Sequence, residues 1–360
     1  MGQENSHVGR QIEFETLASK VSTEFQIEEA LVEHGVPTFY LQKSQETKEP
    51  FLRLLKKLDA EGLVAFLRKD EDRIALRIVP KPEVKPSNIL VNWILFFITI
   101  GTTFATGYIL STGLVEEGVM STPLIGGAAF TLAIMSVLGV HEMGHKITAS
   151  NKGMDATPPY FIPGPPPIFG LGLGTFGAVI MQKSLPPNRD ALFDVGASGP
   201  LFGFVVAVVV SVIGLIFSPM YPITKPMNFL PAPVIFELFA LFVVKLPQNY
   251  YILLHPVAFA GWAGMVVTML NLLPTAMLDG GHVVRSLVGE RVRSILTLLS
   301  ILFLVVQGFW PMALFVLFLS MQKHPGPLDD VSGLSLGRKL RTIVLIAVFI
   351  LCSFPIVPIL

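Results

Sequence analysis

Residues 123–145 read PLIGGAAFTLAIMSVLGVHEMGH, an apolar run that ends in the motif His-Glu-Met-Gly-His. Residues four apart lie on one face of a helix, so His141 and His145 can direct ring nitrogens at one metal ion, with Glu142 beside it. Ionisable side chains at membrane depth are costly, so this cluster calls for a ligand; the plainer alternative is a polar cluster lining a helix interface. The stretch predicts a membrane helix that carries two ligands of a metal site.

The composition of the whole chain agrees with a membrane protein. Of 360 residues, 52% are hydrophobic and only 14% are charged, whereas soluble domains have about 25% charged residues. The formal net charge is zero and the basic residues are scattered, which argues against nucleic acid as a partner. Cys352 is the only cysteine, so a bound metal must use histidine and carboxylate ligands.

A small soluble domain is predicted before the first long apolar run. Almost half of the charged residues lie in the first 80 positions. Hydrophobic periodicity predicts helices over residues 24–33 and 50–60 and a β-hairpin over residues 63–79. We therefore predict a soluble α+β domain with its linker over residues 1–85.

The rest of the chain, residues 86–360, is predicted to be a membrane domain. A spanning helix needs about 20 apolar residues, so the run over residues 232–246 is too short and is predicted to be interfacial or half-spanning. The predicted spans are residues 89–109, 123–140, 191–217, 251–273, 295–310, 311–321 and 340–359. The predicted fold is an all-α multi-pass integral membrane protein with about six transmembrane helices, together with the N-terminal domain.

The basic residues predict the orientation in the membrane. If the N-terminal domain is cytoplasmic, nearly all Lys and Arg residues after position 80 fall on the cytoplasmic side, and only Lys225 and Lys245 fall outside. Basic residues favour the cytoplasmic side of spans. We expect the N-terminus and the active-site end of residues 123–145 to be cytoplasmic and the C-terminus to be outside.

A third metal ligand must come from elsewhere in the chain. Catalytic zinc usually has three protein ligands and leaves one position for water. Asp279 is favoured because Pro274 and the glycines that follow Asp279 interrupt a predicted span, where unwound backbone could turn a carboxylate inwards. The candidates in the apolar region are Asp279, Asp194, Glu237, His255 and His282.

Other polar and small residues near these positions are interpreted as structural. Gly199 and Gly203 form a G-x-x-x-G pattern around Pro200, which predicts a close helix contact. His255, His282 and His324 are interpreted as polar or interfacial residues.

Four motifs together resemble those of one known family. The metal motif at residues 141–145 is followed by GTFGA at 174–178, GASGPL at 196–201, and NLLP at 271–274 with LDGG at 278–281. In this order they resemble the site-2 protease family of intramembrane zinc metalloproteases. The resemblance covers about residues 123–290, which we take as the catalytic core, and does not cover residues 1–85.

The resemblance implies the roles of individual residues. It implies one Zn²⁺ per chain, bound by His141, His145 and Asp279. It implies Glu142 as the general base and Asn271 near the scissile carbonyl.

A short membrane-embedded β-like segment is predicted at residues 175–180. Extended backbone at membrane depth is tolerated where it lines a cavity, and a strand edge can hold an unwound substrate by strand addition. Thr175, Phe176 and Gly177 are therefore candidate substrate-binding residues. The alternative is simple loop packing.

These observations predict an intramembrane zinc metalloprotease that hydrolyses peptide bonds in or near transmembrane segments. Its expected partners are transmembrane protein substrates and the lipid bilayer; the sequence does not indicate an oligomeric state. A zinc transporter and a catalytically inactive membrane scaffold of the same fold are the alternatives. No secretory or transit pattern is evident at the N-terminus, so the cell membrane is the predicted location, with a thylakoid membrane as the alternative.

Overall fold

The computed structural model describes residues 13–83, 87–167, 172–225, 229–275, 277–321 and 324–354. It divides into two compact units. The first consists of Met1–Pro86, Leu185–Leu192 and Pro325–Ser335. The second consists of Ser87–Ser184, Phe193–His324 and Leu336–Leu360.

The first unit is built around a four-stranded antiparallel sheet with the strand order β1-β2-β4-β3. Its elements are helix α1 through residues 13–22, β1 (Ile27–Glu33), β2 (Val36–Leu41), α2 (Lys48–Asp59), β3 (Leu63–Asp70) and β4 (Arg73–Pro80). The predicted amphipathic helix is confirmed as α2, which buries Phe51, Leu54 and Leu58. The predicted hairpin is confirmed by the pairing of β3 with β4.

The helix predicted over residues 24–33 is wrong, because most of this segment is strand β1. His34 and Gly35 follow it with φ values of 51° and 80°, the left-handed conformation that a two-residue hairpin turn needs at both positions. This turn pairs Glu33 with Val36 and sets β1 against β2. Strand pairing therefore overrides the helix propensity of the glutamates and alanine in β1.

Ion pairs join the helices on the surface of the first unit. Lys57 and Arg53 of α2 both donate to the Glu24 carboxylate, at 2.7 and 2.8 Å. The hydrogen bond from Lys57 lowers the pKa of Glu24 below its ordinary value. Glu24 thus ties the end of the α1 region to α2.

Two later segments complete the first unit. Leu328 is buried in the same apolar cluster as Phe39 and Leu67. The amide of Leu67 donates to the Leu328 carbonyl at 2.9 Å, and Asp329 forms a parallel bridge with Leu67. The segment around Leu328 therefore extends the sheet beyond β3.

The second unit is mostly helical. Its helices are α3 (Ile89–Glu116), α4 (Pro123–Asn151), α5 (Arg189–Ile216, whose first residues belong to the first unit), α6 (Val234–Phe239, followed by a π-helix at Ala240–Val244), α7 (Pro256–Leu272), α8 (Asp279–Val306), α9 (Trp310–Ser320) and α10 (Leu336–Cys352). Two small antiparallel hairpins pair β5 (Tyr160–Pro163) with β6 (Thr175–Val179) and β7 (Met220–Pro222) with β8 (Tyr250–Ile252).

Three of the described helices, α3, α4 and α5, are long and apolar enough to cross a membrane. The chain is thus a largely helical membrane protein with a small N-terminal sheet, and the total of about six spans stays a prediction. The short run over residues 232–246 is confirmed as too short to span, because it forms α6 and the π-helix.

Two predicted spans have different bounds in the structure. The span predicted over residues 251–273 begins later, because Tyr250–Ile252 pairs as β8 and α7 starts only at Pro256. The span predicted over residues 295–310 is the second part of α8, which is kinked at Gly289 with φ 81°. A positive φ cannot continue a right-handed α-helix, so Gly289 divides α8 into two helical parts.

Candidate metal centre

Three ligand atoms meet at one point of the second unit. His141 Nε2 and His145 Nε2 lie 3.1 Å apart, and each lies 3.2 Å from Asp279 Oδ2. Ligands about 2.0–2.1 Å from a tetrahedral zinc ion are separated by about 3.4 Å. The three atoms therefore fit around one Zn²⁺.

The two helices bring these ligands together in different ways. His141 and His145 lie one turn apart on α4, whereas Asp279 is the first residue of α8. Helix α7 ends at Leu272 and α8 begins at Asp279, and Gly280 packs so tightly that a Cβ there would lie 2.2 Å from the Leu272 carbonyl oxygen. Because of this break, the Asp279 carboxylate lies beside the two histidines of α4. One continuous helix would carry Asp279 away from α4.

Asp194 and His255, two of the other candidate ligands, have different partners. Among the described residues, the metal-ligand group contains only His141, His145 and Asp279. Asp194 instead accepts from Arg338 at 2.8 Å and pairs with Lys152 at 2.9 Å. His255 caps α7, where its Nδ1 accepts from the amide of Val257.

Helix α5 packs against the rings of His141 and His145 and orients the His145 ring. His145 Nδ1 lies 2.8 Å from the Val195 carbonyl oxygen, which can only accept, so Nδ1 carries the proton and Nε2 has a lone pair for a metal. A Cβ on Gly199 would lie 2.0 Å from His145 Nε2, and one on Gly203 would lie 3.0 Å from His141 Nδ1. The predicted close contact at this G-x-x-x-G pattern is confirmed, and it makes room for both ligands.

Glu142 and Asn271 lie beside the ligands in a cavity of about 370 Å³. Glu142 is only 6% exposed, its Oε1 lies 3.9 Å from His141 Nε2, and it receives a backbone hydrogen bond from Ile180. Asn271 Nδ2 lies 3.3 Å from His141 Nε2. A carboxylate and an amide donor therefore flank the three ligands.

Strand β6 reaches this cavity with its last residues and not its first. Thr175 Oγ1 donates to the Ile162 carbonyl of β5 at 2.8 Å, and the Phe176 side chain is 74% exposed. The cavity is lined by Ala178, Val179 and Ile180. Thr175, Phe176 and Gly177 thus lie upstream of the part of the strand that meets the site.

His282 is a cavity residue that the sequence analysis placed among polar or interfacial residues. It lines the cavity together with the metal-ligand group, and its Nδ1 lies 2.7 Å from His324 Nε2. The spacing of His282 from Asp279 in the sequence could have predicted its place in the cavity. Residues three apart share a helix face, so a helix starting at Asp279 would present His282 on the same side.

Residues 129–307 match the family model described as Peptidase family M50, which is the site-2 protease family. The predicted resemblance is confirmed. The matched segment contains α5, α7 and the metal ligands, so the site-2 protease match and the ligand geometry concern the same part of the chain.

Plant proteins are also similar to this chain. A probable chloroplastic zinc metalloprotease, EGY2 from Oryza sativa subsp. indica, is 25% identical over 291 residues, 76% of this chain and 51% of the relative. EGY1 from Arabidopsis thaliana, described in the same words, is 26% identical over 297 residues, 74% of this chain and 53% of the relative. The chain spans about half the length of these relatives, and no solved structure gives a significant match.

The donor set fits the zinc that these relatives' names mention. Two neutral imidazole nitrogens and one carboxylate oxygen are the ligands typical of catalytic zinc, and three protein ligands leave one position open. His141, His145 and Asp279 are the residues that would hold the ion.

Proposed function

We propose that this chain is an intramembrane zinc metalloprotease, which hydrolyses peptide bonds in or near the transmembrane segments of other proteins. The observation that carries this proposal is the cluster of His141, His145 and Asp279 with Glu142 in one cavity. The two histidines and Glu142 lie on α4, which is long and apolar enough to cross a membrane. The matched family supports the same activity. Transmembrane protein substrates and the surrounding lipid are the proposed partners.

Glu142 is the proposed general base of the reaction. Zinc supplies Lewis-acid activation of water and of the peptide carbonyl when it is bound. The Glu142 carboxylate takes the proton of the attacking water and then passes it to the leaving amine. The Asn271 amide lies next to His141, and in this proposal it donates a hydrogen bond to the developing oxyanion.

The end of strand β6 is the proposed binding track for the substrate. A helix cannot be cleaved while its carbonyls are hydrogen-bonded within it, so the substrate must be held in an unwound form. An added strand beside residues 175–180 would provide backbone partners, and Ala178, Val179 and Ile180 line the cavity. In this proposal Thr175, Phe176 and Gly177 bind the substrate further from the scissile bond.

The membrane arrangement is also a proposal. We infer a soluble N-terminal domain over residues 1–85 and a membrane domain over residues 86–360, with the metal centre near the cytoplasmic end of α4 and the C-terminus outside. Lys146 and Lys152 near the end of α4 support this orientation, because basic residues flank the cytoplasmic ends of spans. The proposed location is the cell membrane, and the similarity to chloroplastic proteins keeps a thylakoid membrane as the alternative.

A zinc transporter is the second candidate for this site. A transporter needs ligands along a translocation path, but it has no need for a buried carboxylate beside the ligand pair. Glu142 occupies that position and is 6% exposed, which favours hydrolysis. An inactive scaffold would have no reason to keep both the ligands and Glu142.

Replacing Glu142 by Gln tests the proposed function. The full chain in detergent should keep about one zinc per molecule but lose at least about a hundredfold in cleavage of a labelled transmembrane peptide, because the amide cannot accept a proton. Zinc is measured by atomic absorption and cleavage by mass spectrometry of the products. Glu117→Gln, at the exposed C-terminal end of α3, is the matched control.

Two outcomes would contradict the proposal. Substantial cleavage by the Glu142→Gln variant would exclude Glu142 as the base. Zinc flux into proteoliposomes without any cleavage by the wild-type chain would favour the transporter.

A further inference from the structure

His282 lies in the cavity but outside the group of three metal ligands. It lines the same cavity as Glu142 and Asn271, and it follows Asp279 by three residues in α8, on the same face of that helix. The described metal-ligand group does not include it. Its ring is therefore available for a different partner in the cavity.

The His282 side chain has one close contact at its ring and one at its base. His324, which is only 7% exposed, places its Nε2 2.7 Å from His282 Nδ1, and the two rings meet edge to face with centroids 4.9 Å apart. At the base of the side chain, α5 packs closely, because a Cβ on Gly196 would lie 2.8 Å from His282 Cβ. Side chains that must contact a ligand at a defined angle are commonly fixed by such supporting contacts.

The contact with His324 engages Nδ1 of His282, and His282 lines the cavity. A neutral imidazole has one donor and one acceptor nitrogen, so a ring that accepts at Nδ1 carries its proton on Nε2. An unwound peptide in the cavity has carbonyl groups without helical partners, and leaving buried carbonyls unpaired is costly. A donor on the cavity wall would satisfy one of these carbonyls.

We infer that His324 donates to His282 Nδ1 and that His282 Nε2–H donates to a backbone carbonyl of the unwound substrate. His282 is a substrate-binding residue in this inference, and His324 is a positioning residue that acts through it. The inference rests on the proposed proteolytic function, since it names a contact with the substrate of that site.

Pairs of amide substitutions separate this role from a purely structural one. The amide nitrogen of Gln can take the place of Nε2, whereas the Asn amide is short and reaches only as far as Nδ1. His282→Gln should therefore keep a donor in the cavity, and His282→Asn should keep only a partner for His324. A substrate contact predicts that Asn is the damaging change, and a structural tie to His324 predicts that Gln is.

Both cleavage and binding are measured, on the full chain in detergent. The probe is a fluorescently labelled peptide of one apolar transmembrane segment with a Gly-Pro pair at its centre, which favours unwinding. Peptide binding is measured in the Glu142→Gln background, so that it does not depend on turnover. Zinc content and thermal stability are measured for each variant, and His255→Asn, outside the cavity lining, is the matched control.

His282→Asn is expected to weaken peptide binding and lower kcat/KM by about tenfold, the effect of one lost hydrogen bond, with zinc content unchanged. His282→Gln should stay within about threefold of the wild type. For His324, which presents Nε2 to His282, Gln should again preserve binding and Asn should weaken it. The His255→Asn control should bind and cleave like the wild type.

Several results would overturn the inference. Unchanged peptide binding by His282→Asn would show that His282 only packs against His324. So would weaker peptide binding by His282→Gln than by His282→Asn. If His282→Asn loses zinc or stability, the test uses His324→Gln and His324→Asn instead. Equal peptide binding by these two variants would contradict the positioning role of His324. A different result would contradict the proposed function and leave this contact intact: the variants bind the peptide in the expected order, but the wild-type protein does not cleave it.

Discussion

Gly199 shows how a single missing methyl group makes space for a metal ligand. The ring of His145 is bonded through Nδ1 to Val195 of α5, and its Nε2 would lie 2.0 Å from a Cβ at position 199. The same helix thus both holds the ring and requires a glycine beside it. The proposed zinc site therefore depends on α5, although α5 supplies none of its three candidate ligands.

Gly199→Ala is expected to lose most of the bound zinc. The added methyl group must push the His145 ring away, which removes Nε2 from the ligand group. Zinc per chain is measured by atomic absorption on protein purified without added metal. Gly101→Ala in α3, where a Cβ meets nothing within 4 Å, should keep full zinc; full zinc in Gly199→Ala as well would contradict this account of the site.

Asn271→Asp is expected to convert an open zinc site into a closed one. Asn271 Nδ2 lies 3.3 Å from His141 Nε2, about the distance between neighbouring ligands of a tetrahedral ion, so a carboxylate there can become the fourth ligand. We expect slower zinc loss to a chelator and cleavage reduced at least about a hundredfold. Asn271→Leu, which removes the amide without adding a ligand, should keep wild-type zinc affinity and still lose cleavage. Rapid cleavage by Asn271→Asp would show that this position is not close to the open coordination site.

Strand β6 is fixed at one end and lies in the cavity at the other. Thr102 Oγ1 of α3 donates to the Gly174 carbonyl at 2.6 Å, directly before the strand, and Gly174 has φ 73°. β5 pairs with one edge of β6 along its length. In the proposed function, this hairpin holds the unwound substrate with its last residues, which are already in place before the substrate binds.

Single prolines in β6 test whether its outer edge holds the substrate. Successive amide groups of a strand point to opposite edges, so Ala178→Pro and Val179→Pro each remove a donor from a different edge. One change weakens the pairing with β5, and the other removes only an outward donor. Both are expected to reduce peptide cleavage at least about tenfold with zinc retained. Wild-type cleavage by both variants would show that β6 is only a packing element.

The first unit is assembled from three distant parts of the chain. Its apolar core includes Leu328 from a segment before α10 and contacts Leu185 from the segment before α5. The same segments continue directly into α5 and α10 of the second unit. The apolar core of the first unit therefore needs side chains from beyond residue 180.

Leu328→Ala is expected to destabilise the first unit by about 2–4 kcal/mol, because it leaves a cavity in a buried core. Hydrogen exchange of the full chain in detergent should show faster exchange in β3 and β4. Leu336→Ala, at a residue that is 72% exposed, is the control and should leave these strands protected. Equal protection in both variants would mean that Leu328 does not stabilise the sheet.

Much of the site was readable from local patterns. Helical spacing placed His141 and His145 on one face, and the apolar run before them indicated a membrane helix. Pro274 and the glycines after Asp279 marked a break in a span. The same reasoning predicted α2 and the β3–β4 hairpin, because hydrophobic periodicity and turn residues act over short distances.

Contacts between residues far apart in the chain could be found only from the tertiary structure. Residues 24–33 carry helix-forming side chains, yet pairing with β2 makes most of them a strand. Asp279 lies with the two histidines while Asp194 pairs with Arg338 and Lys152, although both are carboxylates near apolar runs. The contact of His282 with His324 and the place of Leu328 in the N-terminal core join segments far apart in the chain. Local sequence determines which conformation a segment prefers, but only packing of the whole chain determines which segments come within a few ångströms of one another.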